Sequence, residues 1–223
     1  MNLQVNIARR RWLQQAAAVA GTAALGGCAL PGWRGAGDYR RPLSAQPFAR
    51  PAISMAQVVR TRVGLRPFRA AGFVVRGERM GDKLLIHNYG HGGGGITMSW
   101  GSAMLAAREL PDLVERRAAV IGCGVIGLTT ARVLQQRGWQ VTIYAQDLPP
   151  NTTSDVAGGL WAPTSVFQRS EITPAFEAQF VEALKHSHAT FAGLAGRDYG
   201  VSWKENYHLS DKPRTAEDVF YLN

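Results

Sequence analysis

The chain has 223 residues with 46% hydrophobic composition, enough for one packed domain with appendages and too short for two large domains. A formal net charge of +9 would ordinarily raise nucleic acid as a partner, but residues 1–79 hold 13 arginines and no lysine against Asp38 and Glu78, a balance of +11 that leaves −2 for the rest. The excess sits in the leader, the linker and the stretch just beyond it, so a nucleic-acid partner is set aside; with Cys28 and Cys123 as the only cysteines, so is a disulfide framework.

Residues 1–28 read as an export signal. Arg9-Arg10-Arg11-Trp12-Leu13-Gln14 is a basic segment of the twin-arginine type, and Ala16 to Leu25 forms an apolar stretch too short to span a bilayer as a stable helix. Leu25-Gly26-Gly27-Cys28 has the form of a lipoprotein cleavage box with Cys28 as the lipidated residue. The expected location is periplasmic, or anchored on the outer side of the cytoplasmic membrane. Residues 29–52 are rich in Gly, Pro and Arg without periodicity and read as a tether; residues 53–223 are then the folded domain.

Within that domain, Lys83–His87 reads as a strand. The run HNYGHGGGGITMSWG at 87–101 follows, and Met98–Leu110 reads as a helix stopped by Pro111. His87 and His91 are four apart, but the glycines around His91 argue against one helical face, so both read as loop residues and not metal ligands. Asp112–Arg117 is a charged connector. Ala118–Ile121 is strand-like, Gly122-x-Gly124-x-x-Gly127 opens a helix over Val125–Gln136 capped by Gly138, and Gln140–Tyr144 is the next strand. This is a βαβ unit with its glycine turn between strand and helix. Phe176, Phe180, Leu184, Phe191 and Leu194 mark one face of a helix spanning about 174–195, and Val201–Leu209 has the alternation of a strand.

Chemistry follows from the glycines. The first permits the tight turn, the second lets a pyrophosphate approach backbone N–H groups, and the third lets helix and strand pack closely; the helix N-terminus faces the phosphates with its partial positive charge. Asp147 lies 20 residues past Gly127, with Gln146 beside it, where a ribose partner is expected. NAD and FAD are both open on this motif. Thr152, Thr153 and Ser154 then supply clustered hydroxyls for phosphate oxygens, and Gly158-Gly159 a flat backbone for a planar ring.

VIGCGVIGLTTARVL followed by VTIYAQDLPPNTTSDVAGGLWAP resembles the start of the D-amino-acid oxidase family of FAD enzymes, and VGLRPFR (63–69) with HNYGHGGGGITMSWGSA (87–103) resembles that family's C-terminal end. The resemblance covers about residues 60–210. It implies a circularly permuted α/β fold: a parallel Rossmann-like sheet with helices on both faces, the family's closing segment (53–110) set before its dinucleotide-binding segment (117–223), and the start of a second, α+β substrate domain. It implies FAD as cofactor, with the Thr-Thr-Ser and His-Gly-Gly loops together disfavouring NAD. Gly122, Gly124, Val125, Ile126 and Gly127 would line the pyrophosphate, Asp147 or Gln146 the ribose, and Thr152, Thr153 and Ser154 the phosphates. Gly159 and Leu160 would reach the flavin ring, with Gly92, Gly95, Ile96 and Thr97 approaching it from the other segment. Arg66 would clamp the substrate carboxylate, with Gly93 beside the substrate; no catalytic side chain is assigned.

The implied activity is oxidation of D-amino acids, by hydride transfer to flavin and reoxidation by O2 with release of H2O2. A related dehydrogenase passing electrons to membrane quinone is one alternative. The chain departs from the family at Ala162, where some members carry a polar residue, and at Gly94, where an aromatic is met. It also ends at Asn223, where the family enters its second, antiparallel domain, so an inactive flavin-binding chain is a further alternative. Tyr199, Tyr207 and Tyr221 match no pocket motif and carry no assigned role.

Overall fold

The computed structural model describes residues 52–111 and 116–204. The expected export signal with Cys28, the expected tether up to residue 51, most of the 112–117 connector, residues 205–209 of the expected last strand, and Tyr207 and Tyr221 lie outside the described residues. The chain divides into two units, Met1–Val58 and Val59–Asn223. In the first, the described part holds a short 3₁₀ turn, Met55–Gln57, closed by Ser54 donating its N–H to the Gln57 side chain at 2.9 Å. Everything that follows concerns the second.

Its elements are β1 (Val74–Met80), β2 (Lys83–Tyr89), α1 (Gly95–Arg108), β3 (Arg117–Ile121), α2 (Val125–Gln136), β4 (Gln140–Tyr144) and α3 (Pro174–Leu194). β1 and β2 form an antiparallel hairpin with Val74 opposite Tyr89 and Met80 opposite Lys83, turned by Gly81 at φ 63°. β3 and β4 form a parallel pair in register from Arg117–Gln140 to Ile121–Tyr144, joined through α2 as a βαβ unit. α3 starts where a start signal stands: Thr173 accepts a hydrogen bond from the Phe176 N–H at 3.2 Å, and Pro174 occupies the first turn.

α1 is the central helix. It is buried from Thr97 to Ala107 except at Trp100, as a helix with neighbours on several sides must be. Met98, Met104 and Leu105 join Phe73, just before the hairpin, Val75 of β1, and Phe180 and Leu184 of α3 in one apolar cluster. Ala103 and Ala107 join Val120, Ala131 and Leu134 in a second, under β3 and α2. Small residues set the α1–α3 distance: a Cβ at Gly101 would overlap the Ala183 backbone, and the Gly101 N–H donates to the Ser187 hydroxyl at 2.7 Å.

Three expectations change. Helices do not cover both faces of the parallel pair among the described residues: Val120, Val141 and Ile143 turn toward α2, while Ala119, Ile121, Gln140, Thr142 and Tyr144 are exposed on the other face. A parallel sheet is ordinarily covered on both sides, and two strands with one crossover helix supply one cover. His87 is not a loop residue; it pairs with Arg76 in the hairpin, its Nε2 3.2 Å from a Glu78 carboxylate oxygen. Residues 201–204, the described start of the expected last strand, are irregular.

Candidate functional site

The glycine turn lies between β3 and α2. Gly122 takes φ 104°, a conformation open to glycine and rare for other residues, and donates its N–H to the Tyr144 carbonyl at 2.7 Å. That bond ties the turn to the end of β4, just before Gln146 and Asp147, both exposed. A Cβ on Gly127 would overlap the Gly122 carbonyl oxygen, whereas one on Gly122, Gly158 or Gly159 would meet nothing within 4 Å. Gly127 is thus bare for the turn itself, and the other three leave backbone open to a ligand.

The N-terminus of α2 presents the unpaired N–H groups of any first helical turn. Ser154 occupies one of them, accepting from the Val125 N–H at 2.9 Å, which shows an oxygen acceptor seated where Gly124, Val125, Ile126 and Gly127 would hold phosphate. Thr152 is engaged differently: its hydroxyl donates to Asp155 at 2.7 Å in the capping box of a short 3₁₀ turn, Thr153–Val156. Thr153 is exposed, and its methyl group packs toward Gly64, two residues before Arg66.

The second glycine segment, Gly92–Gly95, runs into α1. Its glycines face the chain. A Cβ on Gly92 would overlap the Ser165 carbonyl oxygen; on Gly93 it would stand 2.6 Å from the Thr164 carbonyl oxygen and 3.4 Å from Arg66 Nη1; on Gly94 it would press on Val166. The Gly93 N–H donates to the Ser165 carbonyl at 3.0 Å, and the Gly92 N–H to the Pro67 carbonyl at 3.2 Å. Gly95 is the exception, with only Val125 Cγ1 near, at 3.8 Å, so the run reaches the glycine turn at that point. Thr97, with its hydroxyl expected near the ring, is wholly buried; its Oγ1 donates to the Ala162 carbonyl at 2.9 Å and accepts from the Ala162 N–H at 3.0 Å, pinning the Gly159–Leu160 loop to the base of α1. Leu160 itself is exposed, and Ile96 half-buried.

The fold therefore gathers Arg66, Gly93, Thr164 and Ser165 at one place, and Gly122–Gly127, Ser154 and Gly95 at another joined to it by α1. Sequence reasoning missed Ser165, whose hydroxyl accepts from Arg66 Nη1 at 3.4 Å, and His91. His91 stacks face to face on Phe73 with ring centroids 4.9 Å apart; burial pushes its pKa down to about 3, so it is neutral at ordinary pH. A buried histidine beside an aromatic carries no sequence signal of its own. Nε2 of His91, the residue before the glycine run, and Nε1 of Trp161, two residues after Gly159, are buried without a hydrogen-bond partner. Open backbone over the turn, a helix N-terminus and these orphaned groups together fit a dinucleotide with a planar ring system.

The family described as FAD dependent oxidoreductase (DAO) matches residues 31–109 and 117–219. A D-amino-acid oxidase of Streptomyces coelicolor is 51% identical over 59 residues, 26% of this chain and 18% of the relative. A second, from Rubrobacter xylanophilus, is 41% identical over 59 residues, again 26% and 18%. A D-aspartate oxidase of Homo sapiens is 42% identical over 69 residues, 29% of this chain and 20% of the relative. The matches thus span about a fifth of these relatives' length. No solved structure gives a significant match.

Proposed function

Because the chain belongs to the DAO family of FAD dependent oxidoreductases, with FAD as its cofactor, we propose that it oxidises D-amino acids to imino acids, which water converts to keto acids and ammonia. The observation that carries this reading is that Arg66 lies against Gly93 of the Gly92–Gly95 run, and that the run meets Val125 of the glycine turn at Gly95, within one folded unit. The same packing supports reading the segment before β3 as the family's closing segment in permuted position.

Gly122 to Gly127 and Ser154 would hold the pyrophosphate, Asp147 or Gln146 the ribose, and Gly95, Gly159 and Leu160 the ring. Held by these residues, FAD would supply the acceptor for the substrate's α-hydrogen as hydride, with O2 as the oxidant and H2O2 as its product. Arg66 orients the substrate. It is exposed and has no carboxylate partner among the described residues, so its charge is available to a substrate carboxylate through paired N–H donors. Gly93, without a side chain, lets the Thr164 carbonyl and the Arg66 guanidinium pack against the run. Positioning at this point accounts for the chain's share of the rate, and no protein base is required once the amine is neutral.

A second acceptor, quinone, is favoured by Arg9–Arg11 and the Leu25–Cys28 box: export and lipidation of Cys28 would hold the domain at a membrane surface. The test is the visible spectrum of the purified chain under nitrogen, before and after D-alanine. Bleaching with D-alanine and not L-alanine is expected, and recovery on adding air or a soluble quinone identifies the acceptor. A flavin band untouched by any D-amino acid would overturn the proposed reaction.

A further inference from the structure

Ser165 is the non-glycine residue with a left-handed backbone among the described residues, at φ 52°. Serine adopts that conformation only where its surroundings over-determine it, and such residues gather at functional sites. Here the surroundings are identifiable. The Ser165 carbonyl accepts the Gly93 N–H at 3.0 Å, and Gly92 is bare where any side chain would strike that carbonyl. The next residue, Val166, is buried against Gly94, and the Gln168 N–H donates to the Ala70 carbonyl at 2.8 Å. Residues 164–168 are thus strapped along the glycine run and the turn after Arg66. What the strained residue presents at this place is its hydroxyl, 3.4 Å from Arg66 Nη1, while the same nitrogen lies 3.4 Å from the position a Gly93 Cβ would take.

We propose that Ser165 is the positioning residue for Arg66: fixed in its left-handed conformation by the glycine run, it holds the guanidinium across Gly93, ready for a carboxylate. A neutral acceptor suits this task. It takes one of the five guanidinium N–H donors without cancelling the charge, and leaves the others for the ligand; an acid in the same place would close the site with an ion pair. The inference rests on the reading of Arg66 as the carboxylate clamp.

The test uses the flavin-loaded full chain and propionate, which is D-alanine without its amine and is not oxidised. Binding is read as the shift of the flavin absorption, beside melting temperature and flavin content. Ser165→Gly removes the hydroxyl and relieves the backbone; it is expected to weaken propionate binding about tenfold, the loss of one charge-assisted hydrogen bond, with melting temperature and flavin content kept. Ser165→Asn tolerates the left-handed region and offers a side-chain oxygen, so it restores most of the affinity. The KM for D-alanine rises with the propionate constant while kcat stays. Unchanged propionate binding in Ser165→Gly overturns the proposal, and so does a loss of binding that tracks a loss of flavin or of melting temperature. Because propionate binding needs no turnover, wild type that binds it without oxidising D-alanine would lose the proposed reaction and leave Ser165 to be judged by the titration. Wild type that does not bind propionate overturns the clamp and Ser165's role together.

Discussion

Two glycine clusters meet at the base of α1, where Gly95 lies near Val125, and their glycines are bare for different reasons. In the turn, Gly122 looks into open space at φ 104° and Gly127 makes room only for the Gly122 carbonyl, five residues away. In the run, Gly92, Gly93 and Gly94 make room for Ser165, Thr164 and Val166, more than seventy residues away in sequence. The first cluster is a local device that leaves backbone open to a ligand. The second is a docking surface for the chain itself: the 164–168 strap lies along it, and the Gly92 N–H bond to the Pro67 carbonyl ties the Arg66 segment to it. Glycine-rich sequence therefore has two meanings within one site.

The sharpest way to break this contrast is Gly92→Ala. It adds a side chain at φ 55°, against a backbone carbonyl that cannot move aside cheaply; a loss of about 2–4 kcal/mol is expected in urea denaturation, with Arg66 displaced and propionate binding lost. An intermediate effect comes from His91, stacked between run and hairpin. With a native pKa of about 3 against 6.5 for the ordinary group, the unfolded chain takes up a proton that the native chain refuses. Stability from this residue is complete above pH 6.5 and is lost as pH falls toward 3, at up to about 1.4 kcal/mol per pH unit. His91→Phe keeps a ring on Phe73 and should flatten the stability profile between pH 6.5 and 4; an unchanged slope would show that other groups carry the acid sensitivity. The smallest effect on folding belongs to Gly122→Ala, about 1–2 kcal/mol for the backbone conformation alone, since nothing crowds the position. Flavin content should fall much further than stability does, whereas in the Gly92 variant the two fall together.

The same contrast explains how much of the molecule could be read from its residues. α2 and β4 begin and end where the sequence places them, because strand alternation, the glycine turn and Gly138 act within a few residues of each other. α3 shows its cap and first-turn proline just as locally. β1 went unread: VVRGERM is charged, contains a glycine and shows no clean alternation, and it is a strand because β2 lies beside it. The first turn of α1 was hidden for a related reason. Glycine is a poor helix former, and the helix starts at Gly95 because the Thr97 hydroxyl and the packing of α1 on two sides hold it. Thr97 was expected near a ligand from the family resemblance and Thr152 from its place in a hydroxyl cluster; neither reading contained the bonds their hydroxyls make, to Ala162 and Asp155. A hydroxyl's partner is a tertiary fact, and so is the left-handed backbone of Ser165.

The central claim is that turn and run together form one flavin site, and the most direct measurement is the flavin content of the purified full chain, wild type beside Gly122→Ala and Gly92→Ala. One FAD per chain in wild type is predicted, lost in Gly122→Ala while the fold is retained and lost in Gly92→Ala together with stability. Wild-type chain that is folded, binds no added FAD and shows no visible flavin band would contradict the account.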